Sequence, residues 1–240
     1  KDVDVAVKAA RKAFESGVWS KTAPEFRKEI LLKFAELLRK HGKENSVIEC
    51  VDAGKLINDC LNEVANDTPM HFQWYAELID KTFGKVSATD PSITSLIVKE
   101  PIGVVAGVVP WNFPLMMAVW KAAPALAAGC SVIIKPAEDT PLSALRIAQI
   151  AKEAGIPDGV FNVVPGFGDV GEALGRHNDV DAVSFTGSTE VGGLFMKYSG
   201  ESNLKTIGLE MGGKSPFLVL EDAKINDTLI DNAINSAFWN

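Results

Sequence analysis

Cysteine is scarce in this sequence, which holds only Cys50, Cys60 and Cys130 among its 240 residues. Their spacing matches neither a zinc-ligand pattern nor a Cys-x-x-Cys redox pair, so it excludes a cysteine-based metal site, and we expect no metal. So few thiols in a chain of this length indicate a reducing compartment. The sequence therefore predicts a cytoplasmic protein.

Positive charge is also scarce, because 24 Lys and Arg residues stand against 31 Asp and Glu residues, which gives a net charge of −7. Domains that bind nucleic acids need basic patches, so a nucleic-acid partner is not expected. Long apolar runs are missing as well. No run approaches the roughly 20 residues that a membrane-spanning helix needs, so a membrane partner is not expected either.

What the sequence contains is typical of a globular chain, with 47% hydrophobic and 23% charged residues. At roughly 150 residues per domain, its length predicts one or two domains. The first residue, Lys1, is not methionine, and residues 233–240 stop inside an apolar-periodic helix pattern without a Gly or Pro stop signal. We expect that both ends are cuts in a longer protein.

The pattern of apolar residues changes along the chain. Residues 2–81 have helical periodicity, whereas 83–100 contain turn residues and a strand at 95–100, which together predict a hairpin. After residue 102, short apolar strands alternate with helices, which predicts an α/β fold with a Rossmann-like parallel sheet and flanking helices. The predicted strands are 103–109, 131–135, 160–164, 181–185, 205–210 and 216–220, and the predicted helices are 114–128, 141–154, 170–176, 190–200 and 224–238.

Two polar segments follow predicted strands, where ligands of open α/β sheets bind. In Val108-Val-Pro-Trp-Asn-Phe-Pro114, Asn112 can donate a hydrogen bond to an oxygen that gains charge, and a rigid Asn turn is the alternative. In Ile134-Lys-Pro-Ala-Glu138, Lys135 and Glu138 can bind the hydroxyls of a ribose. The alternative for this pair is a solvated turn.

Two glycine-containing segments lie further along the chain. Gly166-Phe-Gly-Asp-Val-Gly171 has the G-x-G-x-x-G form, which by itself leaves a phosphate cradle and a glycine-rich turn near a cofactor both open. Phe185-Thr-Gly-Ser-Thr-Glu-Val-Gly192 places backbone N–H groups and hydroxyls at a helix N-terminus. This segment predicts either a pyrophosphate site or an ordinary Ser/Thr helix cap.

Glu210 ends an apolar strand and is followed by Met211, Gly212 and Gly213. A carboxylate that is buried there would hold its proton closer to neutral pH, which suits a general base. The alternative is a solvated glutamate at the mouth of a crevice.

Four of these segments resemble, in order and approximate spacing, motifs of the NAD(P)-dependent aldehyde dehydrogenase superfamily. They are Val109-Pro-Trp-Asn-Phe-Pro114, Lys135-Pro-Ala-Glu138, Phe185-Thr-Gly-Ser188 and Leu209-Glu-Met-Gly-Gly-Lys-Ser-Pro216. The resemblance implies a cofactor domain at 1–82 and 102–212, an oligomerisation hairpin at 83–101 and the start of an α/β catalytic domain at 213–240. It also implies a homodimer or homotetramer. Segments at 72–81, 175–181 and 198–205 look like bacterial dehydrogenases of γ-glutamyl-γ-aminobutyraldehyde and related amino-aldehydes.

The resemblance implies roles for individual residues. Asn112 would stabilise the oxyanion, and Glu210 would activate the nucleophile or the deacylating water. Lys121 matches a lysine near the catalytic centre, or it forms a salt bridge. Glu138 would hold both ribose hydroxyls and repel a 2′-phosphate, which favours NAD over NADP. The cofactor residues expected in this way are Val108, Val109, Pro110, Trp111, Asn112, Lys135, Glu138, Gly168, Gly171, Phe185, Thr186, Gly187, Ser188, Val191, Glu210, Met211 and Gly212.

The sequence departs from the family in two places. The Gly166–Gly171 loop is one residue shorter than usual, which leaves Gly168 and Gly171 without detailed roles. The catalytic cysteine of the family lies in a segment resembling Phe-x-Asn-x-Gly-Gln-x-Cys, and Phe238-Trp-Asn240 matches only its start. We therefore expect NAD-dependent oxidation of a small aldehyde to an acid, through a thiohemiacetal and a thioester on a cysteine beyond residue 240. Residues 1–240 alone should bind NAD weakly or not at all and should not turn over.

Two other functions stay open. A CoA-acylating aldehyde dehydrogenase would release a thioester, but Glu210 argues against it because deacylation by water needs such a base. A non-catalytic aldehyde dehydrogenase-like binding or structural protein is the second alternative. A Gly-Gln-x-Cys segment soon after Asn240 would decide for the enzyme.

Overall fold

The N-terminal third of the protein is helical, in a computed structural model that describes residues 1–238. A π-helical turn and then Pro69, in the first turn of the next helix, follow the fourth helix, so the helical pattern restarts there. The elements are α1 (Asp2–Ser16), α2 (Pro24–Lys40), α3 (Gly42–Ala53), α4 (Ile57–Asn62), the π-turn Glu63–Asp67, α5 (Thr68–Leu78) and the 3-10 turn Ile79–Lys81.

The predicted hairpin follows these helices. Strands β1 (Lys85–Ser87) and β2 (Ser95–Ile97) pair antiparallel, with Val86 opposite Leu96. The hairpin strands are shorter than the predicted strand 95–100, and their apolar side chains are largely exposed.

A five-stranded parallel sheet forms the rest of the described fold, and it confirms the predicted α/β class. The chain order is β3 (Val104–Val108), α6 (Pro114–Ala128), β4 (Ser131–Lys135), α7 (Leu142–Ala154), β5 (Phe161–Val163), α8 (Gly168–Arg176), β6 (Ala182–Gly187), α9 (Thr189–Gly200), β7 (Thr206–Met211) and α10 (Asp227–Phe238). The strand order across the sheet is β5-β4-β3-β6-β7. After β3 the chain adds β4 and β5 on one side of the sheet and then returns to add β6 and β7 on the other side. The sheet therefore has a topological switch point between β3 and β6, where ligands bind in such folds.

The sheet is buried on both faces at its centre. Along β4, Val132 and Ile134 pack into one apolar cluster with α2, α6 and α7, whereas Ile133 packs into a second cluster with α1, α8 and α9. This alternation follows from the period of two in a strand, and it explains why the central strands are apolar throughout.

The predicted strand 216–220 is wrong for the described chain, where these residues have no regular secondary structure. β7 is the last strand of the sheet, and no described strand pairs with its outer edge. A strand needs such a partner for its backbone hydrogen bonds, and the side chains of Phe217, Leu218, Val219 and Leu220 are exposed instead. Within residues 1–238, no helix is both long and apolar enough to cross a membrane.

Candidate active site

A groove of about 470 Å³ lies at the carboxyl ends of β3, β4 and β6, at the switch point of the sheet. It brings together segments that are far apart in the sequence, because parallel strands end at the same edge. The predicted cofactor residues that line it are Val108, Val109, Pro110, Trp111, Lys135, Glu138, Gly168, Gly171, Phe185, Thr186, Gly187, Ser188 and Val191.

An ion pair lies in the wall of this groove. Lys135 Nζ donates a hydrogen bond to Glu138 Oε2 at 3.1 Å, and the lysine side chain is buried while the carboxylate is 42% exposed. The backbone N–H of Glu138 lowers the pKa of its own carboxyl group, and Lys135 lowers this pKa further. The groove therefore carries a fixed negative charge beside a buried positive one.

The N-terminus of α9 forms another part of the groove. Ser188 is the N-cap of this helix, and its Oγ accepts a hydrogen bond from the Val191 N–H at 3.2 Å. The ordinary helix cap that the sequence left open is thus present, and Gly187 and Ser188 line the groove as well. A Cβ atom on Gly187 would lie 2.5 Å from the Phe185 ring, so this position has room only for glycine.

Five lining residues were not predicted from the sequence: Ala137, Glu172, Leu194, Phe195 and Tyr198. Three of them follow Val191 along α9 at intervals of three, four and seven residues, which is the spacing of one helix face. Extending the helical period from Val191 would have found Leu194, Phe195 and Tyr198. No comparable sequence signal points to Ala137 or Glu172.

Asn112 does not line the groove but a second cavity of about 400 Å³, together with Lys55. Trp111, in the loop between β3 and α6, lines both cavities. The two predicted sites, one for a cofactor and one for an oxyanion, are therefore neighbours.

Lys121 connects the groove with the edge strand. Its Nζ donates to Thr186 Oγ1 at 2.6 Å, and Thr186 lies opposite Glu210 in the pairing of β6 with β7. Burial lowers the pKa of Lys121 to about 8, and the nearby charge of Glu210 opposes this shift. Within the described chain, Lys121 makes this hydroxyl hydrogen bond rather than a salt bridge.

The edge strand itself differs from the expectation. Glu210 is exposed, so of the two alternatives that the sequence leaves open, the described chain has the solvated glutamate. Glu210, Met211 and Gly212 lie next to the groove without lining it. They are exposed because β7 has a described neighbour on one side only.

These features define a class of protein. An open parallel sheet with a crevice at its switch point, a helix N-terminus that begins after glycine, and a Lys–Glu pair at a strand end are typical of an α/β domain that binds a dinucleotide cofactor.

The comparisons with known proteins give the family. The model of the aldehyde dehydrogenase family matches residues 1–240. Aminoacetaldehyde dehydrogenase of Pseudomonas aeruginosa is 52% identical over 240 residues, which are 100% of this chain and 48% of that protein. The NADP/NAD-dependent aldehyde dehydrogenase PuuC of Escherichia coli is 51% identical over 222 residues, 92% of this chain and 45% of that protein.

Solved structures agree with this assignment. The γ-glutamyl-γ-aminobutyraldehyde dehydrogenase of Burkholderia cenocepacia superposes with a TM-score of 0.96 at 51% identity, covering 99% of this chain and 48% of that one. An NAD⁺ complex of an aldehyde dehydrogenase from Bacillus cereus gives a TM-score of 0.94 at 42% identity, with 99% and 48% coverage. This chain belongs to the aldehyde dehydrogenase family. It spans about half the length of the curated relatives it matches.

Proposed function

We propose that this chain is the cofactor-binding part of an NAD-dependent aldehyde dehydrogenase that oxidises an aldehyde to a carboxylic acid. The groove at the switch point of the sheet is the observation that carries this proposal. We further propose that 1–82 and 102–212 form the cofactor domain and that 213–240 begin the catalytic domain. The test is an assay of the intact enzyme with NAD and an aldehyde, in which reduced cofactor and acid must form in equal amounts.

The groove fits NAD by its chemistry. Lys135 and Glu138 offer a donor and an acceptor for ribose hydroxyls, and the N-terminus of α9 offers a positive helix end for the pyrophosphate. Gly187 has no side chain, so its backbone can approach the ligand closely. A side chain at this position would clash with the Phe185 ring. When bound, NAD is the two-electron oxidant of the reaction.

The residues beside the groove would act on the aldehyde. We propose that a cysteine thiolate attacks the carbonyl carbon, that the Asn112 side-chain amide donates to the oxygen that gains charge, and that Glu210 takes a proton from the attacking water. The described cysteines are not suited to this attack. None lines either cavity. Burial raises the pKa of Cys60 to about 11, and burial also raises the pKa of Cys130 above its ordinary value.

The nucleophile is therefore proposed to follow residue 240, as in the cysteine segment of the family. The match of Phe238-Trp-Asn240 to that segment lies partly outside the described residues, which end at Phe238. A Gly-Gln-x-Cys segment within a few residues after Asn240 would support the proposal of an enzyme, and its absence would support the non-catalytic alternative. Release of a CoA thioester instead of free acid would support the acylating alternative.

The substrate, assembly and compartment are also proposals. The names of the Pseudomonas and Burkholderia relatives favour an amino-aldehyde substrate. We propose a homodimer or homotetramer, supported by exposed Val86, Leu96 and Ile97 on the hairpin at 83–101, which is proposed to be the oligomerisation arm. We propose a cytoplasmic protein without a nucleic-acid or membrane partner, supported by the net charge of −7 and by three free cysteines.

Removing the charge of Glu138 should weaken discrimination between the two cofactors. A 2′-phosphate about 5 Å from a carboxylate is repelled by about 3 kcal/mol at an effective dielectric constant of 20, and solvent at the half-exposed Glu138 reduces this. We expect Glu138→Gln to raise the affinity for NADP relative to NAD about tenfold. Titration of both cofactors measures the change.

Asp139→Asn is the matched control, because it removes the same charge one residue away, outside the groove. It should leave the ratio of the two affinities unchanged. Equal affinity of the unmodified enzyme for NAD and NADP would contradict the role of Glu138.

A side chain at position 187 should obstruct the cofactor. We expect Gly187→Val to weaken NAD binding about tenfold or more, because the new side chain must displace the Phe185 ring and enter the groove. Isothermal titration of the intact enzyme gives the affinity. Gly193→Val is the control, since a Cβ on this exposed α9 glycine meets no atom within 4 Å. Equal losses of NAD affinity in both variants would show that the effect comes from a disturbance of α9 rather than from obstruction of the groove.

A further inference from the structure

A cluster of buried charges lies beneath the loop that carries Asn112, and the proposed chemistry does not use it. The cluster consists of Glu49 on α3, Lys55 in the following loop and Glu63 in the π-turn. Glu49 is fully buried, and the side chains of Lys55 and Glu63 are 6% and 9% exposed. Buried charges are costly unless they are paired, so a cluster of three requires an explanation.

The first contact of the cluster caps helix α6 from outside. Glu49 Oε2 accepts a hydrogen bond from the Leu115 N–H at 3.0 Å. The N-cap residue of α6, Phe113, makes no side-chain cap, and Pro114 has no N–H. A glutamate that is distant in the sequence therefore fulfils the role that an N-cap side chain has in other helices, because its carboxyl oxygen accepts the hydrogen bond of a free N–H group.

The second contact holds the residue next to Asn112. Lys55 Nζ lies 4.1 Å from the centroid of the Phe113 ring, a cation–π contact, and forms an ion pair of 2.5 Å with Glu63 Oε2. Lys55 also lines the same cavity as Asn112. The backbone that leaves Asn112 is thus held twice within three residues, at the Phe113 ring and at the Leu115 N–H.

We propose that Glu49, Lys55 and Glu63 are positioning residues that hold the Asn112 side chain in the geometry for oxyanion stabilisation. This inference rests on the proposed function. Oxyanion donors must be fixed within a fraction of an ångström of the reacting oxygen, and misplacement by about 1 Å costs up to about 100-fold in rate. A fixed loop meets this need, whereas a loop held only by its own turn does not.

The electrostatics agree with a positioning role. Burial raises the pKa of Glu49 to about 7, while the Leu115 N–H and Lys55 oppose the rise and Glu63 adds to it. Burial, and to a smaller extent the charge of this carboxylate, raises the pKa of the Cys60 thiol. Apolar residues in the same space would avoid the free-energy cost of burying charged groups. The cluster is therefore better explained by the contacts it makes than by a contribution to the stability of the fold.

The test is a double-mutant cycle between positions 49 and 112 in the intact enzyme. We expect Glu49→Ala to lower kcat about 10- to 100-fold with the affinity for NAD unchanged, and to have less than a twofold effect when Asn112 is already alanine. Glu49→Gln keeps an oxygen acceptor for Leu115 and should recover most of kcat. Glu36→Gln, at an exposed position of α2, is the control and should match the unmodified enzyme.

Each outcome decides the proposal. Equal losses from Glu49→Ala in both backgrounds, or failure of Glu49→Gln to recover activity, would overturn it. If Glu49→Ala does not fold, Lys55→Met replaces it in the same cycle, because it keeps the stem of the side chain and removes the charge that faces Phe113. An intact enzyme in which Asn112→Ala alone has no effect would instead refute the oxyanion role in the proposed function.

Discussion

Replacing Asn112 with alanine in the intact enzyme is expected to lower kcat by about 10²- to 10³-fold, the usual cost of losing one oxyanion donor. Asn112 lines a cavity that shares Trp111 with the cofactor groove, so the two predicted sites are neighbours. The measurement is steady-state kinetics with a saturating cofactor. Because the donor acts on developing charge, the affinity for NAD should change less than twofold.

Two variants make this result specific. Asn66→Ala removes an exposed asparagine of the π-turn and should leave kcat unchanged. Asn112→Asp keeps the size of the side chain but replaces the N–H donor with an oxygen, so it should lose at least as much activity as alanine. A loss confined to KM in the Asn112 variants would argue against an oxyanion role and for a role in binding the aldehyde.

The sheet was predictable from the sequence because its central strands are governed by local pattern. The strand predicted at 131–135 is found at Ser131–Lys135, where all five residues are buried and the apolar run can only lie inside a sheet covered on both faces. The strand predicted at 216–220 has the same apolar character and still fails. Its apolar run indicates that the segment should be buried, but it does not indicate which element would cover it. The described chain offers no strand with which this segment could pair.

The candidate site was predictable only where chemistry is visible in short segments. The thirteen predicted groove residues come from the resemblance to the family, and only a few, such as Lys135 and Glu138, are also indicated by their own chemistry at a strand end. Neither route points to Glu49 or Lys55. Glu49 contacts Leu115 from a distance of 66 positions in the sequence, and a glutamate within a helix gives no sign that it caps another helix. For Glu210 the sequence leaves burial and exposure both open, since its burial depends on what covers the outer edge of β7.

Replacing Glu210 with glutamine is expected to lower steady-state kcat by about 10²- to 10⁴-fold, the usual contribution of a positioned general base. Glutamine has nearly the same shape but cannot take a proton from water. If Glu210 serves deacylation, the first turnover should survive. Rapid mixing should then show a burst of reduced cofactor equal to the enzyme concentration, followed by a slow phase.

The neighbourhood of Glu210 adds a further constraint to this experiment. Lys121 donates to Thr186, directly opposite Glu210, and its pKa of about 8 keeps it charged below pH 8. Because the charge of Glu210 raises this pKa, Glu210→Gln should lower it further, so the burst should be compared at several pH values below 8. Glu221→Gln is the control, because it removes an exposed glutamate outside both cavities. Loss of the burst would indicate that Glu210 activates the nucleophile rather than the deacylating water. A kcat within twofold of the unmodified enzyme would show that Glu210 takes no part in the chemistry.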